Sequence, residues 1–179
     1  KCSREENSEL FWATIGGMGL TGIILSAKIK LKNIETAYIR QEIIKAENLD
    51  EIFKLFEESE GWTYNVAWID CLQKGKNIGR SILMRGEHAL KAELPKNLRE
   101  NPLRLKQRFI PTIPFYLPAF VLNAFTVKLF NLLYFQKQRK KEMHSFVDYE
   151  TFFYPLDIVS DWNKIYGKVG FIKYQMVIP

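Results

Sequence analysis

Apolar residues recur at two different spacings along the chain, and these spacings predict interleaved helices and strands. Apolar residues 10–12 follow an acidic, polar run, so we predict a short helix over residues 9–14. Residues 49–56 carry apolar side chains at helical spacing after Asn48, which is a favourable N-cap. A second helix is therefore predicted there, with Gly61 as its terminator.

Alternation between apolar and polar residues predicts the strands. The predicted strands cover residues 23–31, 38–45, 62–72, 77–87 and 170–178. The third and fourth are expected to be antiparallel neighbours joined by a loop at Gly75. In the third, one face is expected to carry Tyr64, Val66, Trp68 and Asp70.

The remaining segments complete an α+β class with largely antiparallel strands. Repeated prolines over residues 94–118 predict a loop with brief ordered pieces. Helices are expected over residues 119–137 and 157–166, the second ended by Gly167. Residues 136–150 are polar without a clear turn or strand pattern, so we expect them to be mobile.

Composition adds a basic bias and few constraints on chemistry. The 179 residues are 47% hydrophobic with a net charge of +6, enough for one ordinary domain and attractive to anionic partners. The two cysteines, Cys2 and Cys71, are far apart, so neither a metal site nor a disulfide framework is predicted. The sequence begins without Met and ends inside an apparent strand, so we expect a piece of a longer protein.

A glycine motif raises the question of a nucleotide. Gly17, Gly19 and Gly22 have G-x-G-x-x-G spacing, but a Rossmann motif needs a strand before the glycines and a helix after them. Here the predicted order is reversed, which disfavours that fold. Two alternatives stay open: a helix-to-strand turn without a ligand, or a turn that lets a planar cofactor approach the backbone.

Longer motifs are more specific than the glycines. The segment ENSELFWATIGGMGLTGIILSAKIKL resembles the end of the FAD domain in the vanillyl-alcohol oxidase and p-cresol methylhydroxylase superfamily. YNVAWID, FYPLDIVSDWNKIYG and GFIKYQMVIP continue the resemblance toward its decaprenylphosphoryl-β-D-ribose 2-oxidase branch, relatives of the sugar-lactone oxidases. The resemblance implies that residues 1–36 end an FAD-binding domain and residues 37–179 form an incomplete substrate domain.

The resemblance also implies site residues and an activity. Contacts to FAD would come from Gly17, Met18, Gly19, Gly22, Ile23 and Ile24. Contacts to the substrate would come from Val66, Trp68, Phe153, Lys173 and Gln175. The implied reaction is hydride transfer from a sugar hydroxyl carbon to flavin, with a polyprenyl-phosphate-linked pentose or a sugar lactone as substrate.

Several positions depart from the family pattern. Family members often carry Asn at the position of Met18, and the mycobacterial-type pattern has Ser, Tyr and Gln at the positions of Val66, Phe153 and Lys173. A related but altered substrate is therefore expected. No catalytic residue is assigned, because Asp70 and His144 are interpreted as an exposed carboxylate and a loop histidine.

The aromatic and basic segment 109–141 raises a membrane question. Prolines and polar residues argue against a spanning helix, which leaves an interfacial helix or a buried helix with a solvated basic end. Either suits a bacterial protein in the cytoplasm or at the inner membrane. The alternative to an oxidoreductase is a non-catalytic module that docks on an anionic membrane or a protein. Nucleic acid is disfavoured because the basic residues are scattered without a binding motif.

Overall fold

The computed structural model describes residues 1–105 and 108–172, and the side chain of Ala119 is left undescribed. The chain divides into two compact units, the first covering Lys1–Asn33 and the second beginning at Ile34. This division lies near the boundary expected after residue 36. The identity of the first unit as part of an FAD domain remains a prediction.

The first unit contains one helix and an extended segment. Helix α1 (Ser8–Thr14) confirms the predicted helix. The strand predicted over 23–31 is wrong, because residues 23–31 form no regular structure and Ile23, Leu25 and Leu31 are exposed. A strand is defined by hydrogen bonds to a neighbour, and no strand of the described chain pairs with this segment. Apolar alternation alone therefore does not make a strand here.

The second unit is built on a four-stranded antiparallel sheet. Its strands are β1 (Tyr38–Ala46), β2 (Tyr64–Ile69), β3 (Ser81–His88) and β4 (Glu142–Asp148), in the order β2-β3-β1-β4. The antiparallel sheet and its helices confirm the α+β class. The β2–β3 pairing also confirms the antiparallel neighbours predicted on either side of the Gly75 loop.

Strand β4 corrects the expectation that residues 136–150 are mobile. Its residues pair with β1 from Tyr38↔Asp148 to Ile44↔Glu142. The sequence hides this strand because it lies at a sheet edge, where charged side chains are common and apolar alternation is weak. Of the predicted closing strand 170–178, residues 170–172 form no strand and residues 173–179 lie outside the described chain.

The helices of the second unit follow the predicted order with shifted ends. They are α2 (Leu49–Glu57), α3 (Lys96–Arg99), α4 (Ala124–Lys137) and α5 (Tyr149–Phe153). Short 3₁₀ turns cover Gly75–Asn77, Lys91–Glu93, Ala119–Val121 and Trp162–Tyr166. None of the helices in the described residues combines the length and apolar character needed to span a membrane.

Capping explains where these helices begin and end. The Asn48 side chain accepts a hydrogen bond from the Glu51 N–H at 3.0 Å, which confirms the predicted N-cap of α2. Gly61 is not the terminator, because α2 ends at Glu57. Helix α4 begins at residue 124 rather than 119 because the Asn123 side chain accepts from the backbone N–H groups of the first turn. The last predicted helix is the 3₁₀ turn Trp162–Tyr166, followed by Gly167 at a φ of 71°.

One face of the sheet, which we call the core face, packs against α2 and the segment around α3. Ile52 of α2 is buried with Ala46 and Leu83, and a second buried cluster joins Tyr38, Ala89 and Leu94. Burial of these apolar side chains stabilises the unit through the hydrophobic effect. Because side chains alternate along each strand, the next residues in sequence point to the opposite face, which we call the open face.

We predict that Gly86→Ala destabilises the protein by about 1–3 kcal/mol. A Cβ added at Gly86 would lie 2.5 Å from Ile39 Cγ2 and 2.9 Å from Phe152 Cε2, so α5 and the sheet would have to separate. Urea unfolding measures the change in free energy. Gly61→Ala is the matched control because its Cβ would meet nothing within 4 Å. Equal effects of the two substitutions would contradict the close approach of Phe152.

Candidate functional site

The glycine turn of the first unit has a structural cause for each predicted glycine. A Cβ on Gly17 would lie 2.2 Å from the Ala13 carbonyl oxygen, so the chain can leave α1 this way only without a side chain there. Gly19 and Gly22 have φ angles of 81° and 130°, which L-residues with side chains rarely adopt. The glycines are therefore required by the turn itself, whether or not it binds a ligand.

The same turn offers groups that fit a flavin. Met18 is 92% exposed, and Ile23 and Ile24 are also exposed. The turn's internal hydrogen bonds use the N–H groups of Gly17, Leu20 and Gly22, and those of Met18 and Gly19 have no protein acceptor among the described residues. Outward backbone donors beside apolar side chains suit the polar edge and the ring of a flavin.

The open face of the sheet contains three rows of side chains that run across the strands. The first row is Tyr64–Gly86–Gln41–Ser145, the second is Val66–Met84–Ile43–Met143, and the third is Trp68–Ile82–Lys45. The first and third rows are four residues apart along each strand, which is about 13 Å. This distance accommodates a sugar or a flavin ring.

Helices cover the first and third rows and leave the second partly open. Phe153 of α5 packs edge-on against Tyr64 with ring centroids 4.9 Å apart. Tyr134 of α4 packs on Trp68 at 4.8 Å, and the Phe135 ring lies under the Lys45 ammonium at 4.0 Å. In the second row, Val66 and Met143 remain about two-fifths exposed. We call this partly open row and its aromatic walls the sheet groove.

The sheet groove brings together the described members of the predicted substrate set. Val66 lies on its floor, Trp68 is in one wall and Phe153 is in the other. Lys173 and Gln175 lie outside the described residues, so their positions remain predictions. The sequence pattern placed Val66 and Trp68 on one face of a strand, and the structure agrees.

Asp70 is buried, which corrects its interpretation as an exposed carboxylate. Its side chain is enclosed at the end of the Trp68 face, with a residue exposure of 1%. The Arg80 guanidinium donates to Oδ2 at 2.6 Å and Gln73 donates to the same oxygen at 2.8 Å. Asn131 of α4 donates to Oδ1 at 2.7 Å. We call this set the Asp70 network, and it ties α4 to the end of the sheet.

Hydrogen bonds outweigh burial in setting the charge of Asp70. Burial alone raises the pKa of the carboxyl group, but hydrogen bonds from Arg80, Gln73, Asn131 and the Leu72 N–H together hold the pKa below its ordinary value of 3.8. Asp70 is therefore an ionised, fully engaged carboxylate at neutral pH. Since its oxygens already accept these bonds, its role is structural and it does not act as a general base.

His144 lies in strand β4, which corrects its interpretation as a loop histidine. It is on the core face, where its Nδ1 is 3.3 Å from Glu42 and its Nε2 is 3.1 Å from Glu142. Ligand atoms of these three residues lie within 4.8 Å of one another. Arg85 also pairs with Glu42 at 2.7 Å, so this cluster is already neutralised by a cation. It lies across the sheet from the groove and is separate from it.

The fold and site thus define an α+β unit that carries an aromatic-walled groove on one face of an antiparallel sheet. Over 175 residues, 97% of its length, the chain is 35% identical to decaprenylphosphoryl-β-D-ribose oxidase of Mycolicibacterium smegmatis. This similarity confirms the resemblance to that branch of FAD-linked oxidases indicated by the sequence motifs.

A second relative is a Streptomyces coelicolor protein described as an uncharacterized protein in the mprA 5′ region. It is 31% identical over 118 residues, 65% of this chain. The chain spans 38% of the length of the mycobacterial relative and 32% of the Streptomyces one. No family model matches the chain.

Some groove residues were not predicted from the sequence. Tyr134 was placed only within a general helical segment, and Ile43, Met84 and Met143 were not singled out. The alternation in β1 and β3 contains the signal for Ile43 and Met84, since both follow from the face on which Val66 lies once the register is known. Tyr134 had no such signal, because helix position alone does not show which strand it meets.

Proposed function

We propose that this chain forms part of an FAD-dependent oxidoreductase that oxidises a hydroxyl group of a lipid-phosphate-linked pentose. The observation that carries the proposal is the sheet groove, where Val66, Trp68 and Phe153 meet in a chain that is similar to a named ribose oxidase. A sugar lactone is the second substrate class that the resemblance supports.

The first unit would contribute to the flavin site. In the proposal, Gly17, Gly19 and Gly22 shape the turn, and the backbone N–H groups of Met18 and Gly19 bind polar atoms of FAD. Exposed Ile23 and Ile24 offer apolar contact to its ring. FAD, when bound, supplies the acceptor for a hydride from the sugar carbon.

The second unit would orient the sugar. Trp68 presents an aromatic ring in one wall, and sugar rings pack well on such faces through their C–H groups. The apolar floor of Val66, Ile43 and Met84 excludes water from a bound ring. The proposal extends the polar contacts to Lys173 and Gln175, where a cation at Lys173 would suit an anionic group of the substrate.

The substitutions in this set give the proposal its specificity. Val66 and Phe153 lack hydroxyl groups that the family pattern has at these positions, so the groove has fewer hydrogen-bond donors than the pattern implies. A site that loses such donors discriminates less strongly between a sugar hydroxyl and its absence. We therefore infer a related pentose whose orientation depends on stacking and charge.

The test uses the intact gene product, purified with added FAD. We expect bound flavin, seen as visible absorbance, and reduction of an artificial electron acceptor with a synthetic polyprenylphosphoryl pentose. An aldonolactone, supplied in a parallel assay, distinguishes the two substrate classes. Absence of bound flavin after supplementation would overturn the proposal and favour the alternative, a non-catalytic module that docks on a membrane or a protein.

A further inference from the structure

Helix α4 has two apolar faces, and the described chain covers one of them. Positions 127, 131, 134, 135 and 138 are buried or half-buried toward the sheet. The opposite stripe, which we call the outer face of α4, is formed by Phe125, Leu129, Leu132 and Leu133. These residues follow i, i+4, i+7, i+8 spacing and therefore lie along one side of the helix. All are exposed, with Phe125 at 76% and Leu133 at 59%.

An apolar outer face is unusual for a helix on the surface of a water-soluble unit. Surface helices place charged or polar residues opposite their packed side, whereas helices that are apolar all round are covered on all sides. The Asp70 network and the Tyr134–Trp68 contact fix which side of α4 meets the sheet. The outer face therefore points away from the sheet and needs a different apolar contact.

The charges around α4 indicate what makes this contact. No acidic residue occurs from Asn101 to Lys141. Exposed cations flank the helix at Lys128 and, beyond its C-terminal end, at Lys137, Arg139, Lys140 and Lys141. An occupant that is apolar where it meets Phe and Leu and anionic at its rim complements this surface. The surface of a bilayer with anionic headgroups has this combination.

The segment before α4 extends the same character. Residues 109–127 carry no charge, and Phe109, Phe115 and Phe120 are exposed. Aromatic side chains favour the boundary between headgroups and acyl chains. A soluble protein partner would need acidic residues around an apolar strip, whereas an anionic bilayer supplies both over any area.

We propose that the outer face of α4 docks on the surface of an anionic membrane. Helix α4 then lies in the plane of the interface, with Phe125, Leu129 and Leu133 among the acyl chains and the basic cluster on the headgroups. The other side of the same helix carries Tyr134 of the sheet groove. Resting on the proposed function, this places the groove beside the bilayer that holds the lipid part of the substrate.

The test measures partitioning of the intact protein onto vesicles by co-sedimentation. We expect binding to phosphatidylcholine vesicles that contain phosphatidylglycerol, and weaker binding to pure phosphatidylcholine or at high salt. The variant Leu129→Ser/Leu133→Ser and the variant Lys137→Gln/Lys140→Gln should each lower partitioning about tenfold. Phe53→Ser and Lys54→Gln on α2 are matched controls, because both residues are exposed on a helix of the core face, and binding should be unchanged.

Other results would overturn the proposal. Equal binding to anionic and neutral vesicles, or wild-type binding by the α4 variants, excludes docking through this surface. If the α4 variants instead lose bound flavin or thermal stability while vesicle binding persists, the outer face is covered by another part of the protein. Flavin absorbance and turnover of a short-chain soluble substrate report separately on the proposed oxidase function, so its failure is distinguishable from failure of docking.

Discussion

Asp70→Asn is expected to destabilise the protein by about 3 kcal/mol, because breaking a buried ion pair leaves the remaining charge without compensation. The remaining charge is the Arg80 guanidinium, which is largely buried and pairs with Asp70 at 2.6 Å. The change also replaces an acceptor by an amide donor opposite Asn131. Chemical denaturation of the intact protein measures the difference in unfolding free energy.

Asp161→Asn is the matched control for this prediction. Asp161 also pairs with a cation, Lys164 at 2.8 Å, but both side chains are partly exposed. Exposed ion pairs contribute about 0–1 kcal/mol, so this variant should be close to wild type. Equal losses in the two variants would show that Asp70 has no special structural weight.

The pH dependence of stability provides a second readout for Asp70. Its folded pKa lies below the ordinary value of 3.8, so the ionised form is favoured in the folded state. The resulting stabilisation is fully present above the unfolded pKa and is lost as the pH falls through the lower, folded pKa. Wild type should therefore lose stability below pH 3.8 that Asp70→Asn does not lose. Parallel pH profiles of the two proteins would contradict this assignment.

Trp68→Ala is expected to lower kcat/KM of the intact enzyme for a lipid-linked pentose about tenfold, since an aromatic contact contributes about 1–2 kcal/mol. The substitution removes one wall of the sheet groove and the partner of Tyr134. Trp68→Phe keeps an aromatic face and should recover part of the loss. Steady-state kinetics, with flavin content measured in the same preparations, provide the comparison.

Trp62→Ala is the control that separates substrate contact from general damage. Trp62 lies between the guanidinium groups of Arg40 and Arg85, whose Cζ atoms are 5.4 and 4.9 Å from its ring. These arginines project from the core face, opposite the groove. Trp62→Ala should lower stability with little change in KM. A raised KM in both tryptophan variants would contradict a specific role for Trp68.

The sequence predicted most of the sheet because β1, β2 and β3 alternate clearly and the Asn48 cap is local. It missed β4, whose polar residues reflect an edge position known only when the strand order is known. It wrongly predicted a strand over 23–31, because alternation does not show whether a neighbour is present. Asp70 was misinterpreted for a similar reason: burial of a carboxylate depends on Arg80 and Asn131, which reach it from elsewhere in the chain.

The site was predictable to the extent that it depends on one strand. Val66 and Trp68 share a face by periodicity, and the resemblance added Phe153. The second wall of the groove depends on how α4 crosses the sheet, and its apolar sequence does not select which side packs. That choice is made by the polar contact of Asn131 with Asp70.

The strand order has a consequence for how the molecule assembles. Strands β2 and β3 are joined by a short loop, so they can pair as soon as both have been synthesised. Strand β1 must wait for β4, which arrives only after α4 has been made, and closing so long a loop is entropically costly. The sheet edge that carries Met143 is therefore expected to form late. Until it does, β1 exposes an unpaired edge that must be kept from pairing with another chain.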